Sequence, residues 1–208
     1  MVFKSFASEM MGLSDIGKII EPKDFNQTDI DDYIFHEDQE KIFFVIKTKA
    51  DEYCFTNVAF MHLDGLTATS KKRTLYRYLY KNYPISNVLL ETAGTIDLDA
   101  EIKFHCGDKF FSIDIDKKQI EKIRDLYKAL FTIGETCKEI QRKKNVLQQS
   151  NESIQRMFHL RELSEQAILN LPEIINQTSQ QVEVHINQRY KEIEQYDFSE
   201  IFDRYLKW

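Results

Sequence analysis

The chain has 208 residues, enough for one or two domains with a proper core, and 28 Lys/Arg against 34 Asp/Glu leave a net charge of −6. Residues 1–115 carry 13 Lys/Arg against 19 Asp/Glu, whereas residues 116–208 carry 15 of each, so the whole imbalance sits on the first half. Clustered cations attract phosphate backbones and anionic bilayers, so this half is a poor general polyanion binder unless a local basic patch overrides the mean, and no nucleic-acid partner is expected.

Phe3, Phe6, Met10 and Leu13 share one helical face and predict an amphipathic helix over about residues 3–12. Its only cation is Lys4. Packing on a barrel or a neighbouring subunit is therefore expected over a membrane anchor, which usually carries a basic face. Residues 21–40 are acidic and polar and read as a solvated connection with a short strand at Tyr33–Phe35. Strands follow at short intervals. Ile42–Thr48 comes first, then Tyr53–Leu63, long enough to bend or split near Asn57, and an Asp64-Gly65 turn follows it. Arg73–Tyr80, Val88–Thr92 and, after a break at Gly94, Ile102–Cys106 come next, and Gly107-Asp108 makes a hairpin into Phe110–Ile115. About seven strands in this span predict an α+β chain built on a small antiparallel barrel or sandwich.

At Asp116 the pattern changes from alternation to helical period, and the final 74 residues contain no Gly. Asp116 is a good N-cap. Ile123, Leu126, Leu130, Ile133, Cys137, Ile140, Lys144 and Leu147 then recur at three- and four-residue spacing. Continuous to about Ser150, such a helix is roughly 50 Å long. A small barrel seats its first three or four turns, so the remainder needs another partner. Ser153–Leu171 and, after Pro172, Glu173 to about Glu194 predict two more helices, and short connections favour their folding back on that seam. Asp197 with Glu200 is a capping box for a last helix bearing Phe198, Ile201, Phe202, Tyr205 and Trp208.

Several segments resemble the bacterial pleckstrin-homology (PH-like) family. They are Asp51-Glu52-Tyr53-Cys54-Phe55-Thr56-Asn57, Asp64-Gly65, Ser70-Lys71-Lys72-Arg73, Glu91-Thr92-Ala93-Gly94-Thr95-Ile96-Asp97-Leu98-Asp99 and Ser112-Ile113-Asp114-Ile115-Asp116-Lys117. From about Lys144, Asn170-Leu171-Pro172-Glu173 and Tyr196-Asp197-Phe198 are similar to the extension of YvbH-like proteins of Gram-positive bacteria. The resemblance implies a PH-like barrel capped by a helix over residues 1–143, and a helical oligomerisation extension over 144–208. It also implies ring-like homo-oligomers, no enzymatic activity and no assigned cellular role.

Lys71-Lys72-Arg73 with Arg77 is the dense cationic cluster of the first half. It reads either as a site for a lipid headgroup or other anion, since Arg forks phosphate oxygens bidentately, or as exposed charge paired with nearby Asp and Glu. Tyr76, Tyr78 and Tyr80 share a strand face with Thr74, opposite Arg73, Leu75, Arg77 and Leu79. That face reads as a peptide or subunit contact, or as a cross-strand ladder belonging to the core. Asp97, Asp99 and Glu101 alternate on an extended strand, which cannot wrap a Ca²⁺ ion as a loop does. Arg142-Lys143-Lys144 reads as an exposed helix side.

His36, His62, His105, His159 and His185 lack H-x-x-x-H spacing and cysteine partners, so no metal ligand is assigned. No nucleophile motif, P-loop or dinucleotide fingerprint is present; neither catalytic residue nor cofactor is expected. Cys54, Cys106 and Cys137 form an odd set without C-x-x-C spacing. With no signal peptide and no run near the roughly 18 apolar residues of a spanning helix, the expectation is a cytoplasmic protein with reduced thiols. The leading functional expectation is a self-assembling scaffold, with Tyr76, Tyr78, Tyr80, Ile133, Cys137, Ile140 and Leu147 as candidate subunit or helix-packing positions, most of the helix stripe being taken by packing within the chain. A further protein or peptide partner is compatible with it. The alternative is a peripheral membrane or anion-binding module using Lys71–Arg73.

Overall fold

The computed structural model describes residues 16–65, 73–92, 99–159 and 171–208. The helix expected at 3–12, Lys71, Lys72, Gly94 and Asp97 lie outside these. Eight strands are described: β1 (Lys18–Ile20), β2 (Ile42–Lys47), β3 (Glu52–Thr56), β4 (Ala59–Gly65), β5 (Arg73–Leu79), β6 (Ile85–Thr92), β7 (Asp99–Cys106) and β8 (Lys109–Asp116). The first five form one antiparallel meander and the last three another. A bridge from Gly17 to Ile115, with Gly17 N donating to the Asp114 carbonyl at 2.7 Å, links the two sheets at β1 and β8.

Strand alternation divides the five-stranded sheet between two cores. Phe44, Ile46, Phe55, Phe60 and Tyr80 face the three-stranded sheet and pack with Ile102, Phe104 and Ile113. Their neighbours Val45, Cys54, Ala59, Met61 and Leu63 face the other way and pack with Ile30 and Ile34. This second core explains why β2 reads Ile-Phe-Phe-Val-Ile without polar interruption: both faces are covered.

The cover is the acidic segment; its outer side is solvated as expected, while Thr28, Ile30, Ile34 and Glu40 are buried and the backbone is not extended. Three 3₁₀ turns, Pro22–Gln27, Asp29–Tyr33 and His36–Asp38, replace the strand expected at Tyr33–Phe35. Two buried carboxylates on the sheet side take the backbone donors that a ladder would have used. Glu52 accepts from Ile30 N at 2.9 Å and from Asp29 N at 3.4 Å, and Glu40 accepts from Phe35 N at 3.0 Å. The Asp64-Gly65 dipeptide is likewise not a turn, because β4 continues through it, pairing Asp64 with Thr74 and Gly65 with Arg73. Glycine at 65 serves a close approach instead: a Cβ there would strike the Ala50 carbonyl oxygen.

Asp116 caps as expected, its Oδ1 accepting from Lys118 N at 2.9 Å. A single 3₁₀ turn, Lys117–Gln119, leads into α1 (Ile120–His159), 40 residues or about 60 Å long. No new helix begins at Ser153. The Ser150 and Ser153 hydroxyls bond back to the Val146 and Gln149 carbonyls at 3.0 and 2.9 Å, which satisfies them without interrupting the ladder. The remaining helices are α2 (Leu171–Ile193) and α3 (Ser199–Tyr205).

The chain forms two compact units. One comprises residues 1–137 together with Tyr196–Trp208; the other is Lys138–Gln195. The expected extension of 144–208 therefore groups residues that fall in different units. In the first, Ile123, Leu126, Leu130, Ile133 and Cys137 of α1 all enter the main core, a seat of about four turns. Phe198, Phe202 and Leu206 of the tail enter the same core.

Candidate functional site

The two described arginines of the cationic cluster are committed to carboxylates. Arg73 pairs with Asp29, and its Nη1 lies 3.9 Å from Glu52 Oε1. Arg77 Nη2 donates to Glu40 Oε2 at 2.6 Å, while the guanidinium sits 4.6 Å above the Phe35 ring. Glu52 also pairs with Lys47. Buried carboxylates need such partners, and here each charge set pins the 3₁₀ cover to the sheet. A phosphate approaching Arg73 or Arg77 would have to displace these pairs.

The tyrosine face of β5 alternates as expected, with Leu75 and Leu79 on the opposite, second-core side. Its residues have different fates. Tyr80 is fully buried against Phe198, Tyr78 is half-buried among Phe60, Tyr83 and Phe111, and Tyr76 stays 43% exposed. Tyr76 closes a row that crosses three strands: Tyr53 stacks on His62 at 4.6 Å, and His62 on Tyr76 at 6.0 Å.

At the end of this row the β3–β4 register sets Asp51 beside His62 and Asp64. His62 and Asp64 alternate on one face of β4, and Tyr53 is the direct partner of His62. The ligand atoms of Asp51, His62 and Asp64 all lie within 4.8 Å of one another. Asp51 Oδ1 is 3.6 Å from His62 Nε2 and accepts from Gly65 N at 3.1 Å; its Oδ2 accepts from the Tyr53 hydroxyl at 3.4 Å. Burial would raise the Asp51 carboxyl, but the His62 and Gly65 contacts outweigh it and hold it below the usual carboxylate value. Burial, then Asp51, push the Tyr53 phenol well up. Sequence spacing gave no hint of this trio. His62-x-Asp64 is visible as a strand-face pair, but Asp51 joins it only through strand register.

The second unit presents a different surface. Among its described residues Ile140 alone is buried. Half-buried positions follow one stripe on α1 (Lys144, Leu147, Asn151, Ile154) and another on α2 (Thr178, Val182, Ile186, Tyr190, Ile193). Lys144 Nζ meets Glu194 Oε1 at 2.5 Å, which sets the end of α2 beside the middle of α1. Between them lies a groove of about 620 Å³ that includes Arg142, Val146, Leu147, Arg189 and Ile193. Val146 and Val184 are 59% and 67% exposed. Of the positions expected at an interface, Ile133 and Cys137 are spent inside the first unit, and Ile140 and Leu147 belong to the second. No helix among the described residues is long and apolar enough to cross a membrane.

The two meanders, the capping helix and the cross-over of core residues between them agree with the bacterial PH domain, whose family profile matches residues 10–134. The chain belongs to the bacterial PH domain family. That match ends three residues before the first unit leaves α1. YvbH of Bacillus subtilis (strain 168), an uncharacterised protein, is 47% identical across 99% of both chains. The crystal structure of a PH-domain-containing bacterial protein from Exiguobacterium sibiricum 255-15 is 44% identical. It superposes with a TM-score of 0.78 over 92% of this chain and all of its own. The likeness thus extends past the PH barrel into the helical unit.

Proposed function

We propose that this protein is a non-catalytic PH-domain scaffold that assembles with further copies of itself, its helical unit supplying a contact. The observation that carries this reading is the unit Lys138–Gln195, whose described residues bury one side chain. The apolar stripes of its two described helices are left half-buried, and such stripes gain stability when a second pair of helices covers them. The occupant that fits is another copy. The unit carries eight Lys/Arg against eight Glu, so two of them meet without net repulsion, and its groove presents both cations and Glu192 beside apolar Val146 and Leu147. A closed ring or dimer satisfies this equally.

Support for a role without catalysis comes from the thiols. Cys54, Cys106 and Cys137 are free and buried, and burial pushes each thiol up, Cys106 to about 12 and Cys137 to about 11, far from nucleophilic thiolates. Free buried thiols also support a reducing, cytoplasmic setting.

Light scattering of the full chain tests the proposal. An oligomer at micromolar concentration is expected, and a Val146→Asp/Val184→Asp variant should lose mass while keeping its circular dichroism, because both side chains are exposed. A monomeric parent chain would refute self-assembly.

A further inference from the structure

We propose that Asp51, His62 and Asp64 form a binding site for one transition-metal divalent cation of the Mn²⁺ or Zn²⁺ class. The proposal concerns the barrel and does not depend on how copies assemble. Three ligand atoms within 4.8 Å of one another surround a point at most about 2.8 Å from each, and metal–ligand bonds are about 2.0–2.2 Å, so shifts under about 1 Å suffice. An imidazole with two carboxylates on one side of the ion leaves the other side to water. The nitrogen ligand favours Mn²⁺ or Zn²⁺ over Mg²⁺ and Ca²⁺, which prefer all-oxygen sets.

Two further observations point to a cation rather than to chance grouping. His62 Nε2 is buried and makes no hydrogen bond, although its ring is fixed by stacking on Tyr53 and Tyr76. Its nearest carboxylate, Asp51 Oδ1, stands 3.6 Å away, too far for a hydrogen bond but suited to a shared ion. In addition, the Asp51 and Asp64 carboxylates come within 4.8 Å of each other beside that imidazole, a like-charge approach that a cation between them would relieve. Gly65 N and the Tyr53 hydroxyl already hold Asp51 in place, as outer hydrogen bonds hold metal ligands elsewhere.

The test uses the full chain and Mn²⁺ or Zn²⁺ alone. Titration calorimetry should show one Zn²⁺ per chain, and Mn²⁺ should selectively broaden the His62 ring proton signals. Asp51→Asn and Asp64→Asn keep side-chain shape and should each weaken binding at least tenfold with the fold intact by circular dichroism. Asp31→Asn, which alters the exposed His36–Asp31 pair instead, should leave binding unchanged. Absence of binding at millimolar metal, or binding undiminished in both Asp→Asn variants, would overturn the site. So would broadening at another histidine with His62 sharp.

Discussion

Asn57 and Asp197, 140 residues apart, are joined by a 2.8 Å hydrogen bond from Asn57 Nδ2 to Asp197 Oδ2, and Phe198 N returns a 2.9 Å bond to the Asn57 carbonyl. These two bonds fix the start of α3 against the β3–β4 hairpin. Beyond them Phe198 sits edge-on to Tyr80, Phe202 stacks on Phe43 at 5.0 Å, and Lys122 lies 4.8 Å over the Trp208 ring. The tail is structural core supplied from a distance.

Phe202→Ala should therefore cost about 3–5 kcal/mol, as for any fully buried phenylalanine, although it lies six residues from the last. Val146→Ala, on an exposed helix surface, should change monomer-level stability by less than about 0.5 kcal/mol. Urea unfolding monitored by fluorescence measures both. Equal costs would show that the tail is not seated in the core.

Gly134→Ala ought to reverse the usual rule. Alanine in a helix interior is ordinarily favoured by about 1 kcal/mol. Here a Cβ would lie 2.7 Å from the Ile85 carbonyl oxygen, a backbone atom that cannot swing aside. Net destabilisation of at least about 1 kcal/mol is expected, read as a lowered Tm; a raised Tm would contradict the close packing of α1 on β6.

Acid should loosen the tail. Burial raises the Asp197 carboxyl, yet hydrogen bonds from Ser199 and Asn57 outweigh this and hold it below the ordinary 3.8. A depressed folded value means that its stabilisation is complete above that pH and is lost as pH falls through the folded value. The stability gap between the parent chain and Asp197→Asn should be constant from pH 7 to about pH 5 and shrink below about pH 4. A gap independent of pH would show that the carboxylate charge is not what Asn57 and Ser199 bind.

The three thiols should resist Ellman's reagent at pH 8 in the native protein and all react in guanidinium. Raised values at Cys54, Cys106 and Cys137 leave little thiolate, and all three side chains are buried. Rapid labelling of a native thiol would reveal local opening of the barrel.

Much of this architecture was legible because it is local. The Asp116 cap, the Gly107-Asp108 hairpin, the division of a long strand at Asn57 and the α1 stripe each follow from periodicity or turn chemistry within a few residues. What escaped depends on partners far along the chain. The 3₁₀ cover over 22–38 exists because Glu40 and Glu52 supply acceptors from the sheet. β1 has three residues, too few for a pattern. Phe198 and Phe202 announced an apolar face without saying that β2 and β5 would receive it. Asp51 met His62 and Asp64 through a register that spacing cannot fix.

Because the barrel is assembled from two stretches of chain separated by 58 residues, its synthesis and its completion are separated in time. A ribosome delivers residues 16–137 well before α3 emerges, so Phe43 and Tyr80 wait, wetted, for Phe202 and Phe198. Maturation of the domain is thereby tied to prior extrusion of the helical unit, and a nascent chain halted within α2 would expose a sticky trough that invites chaperones.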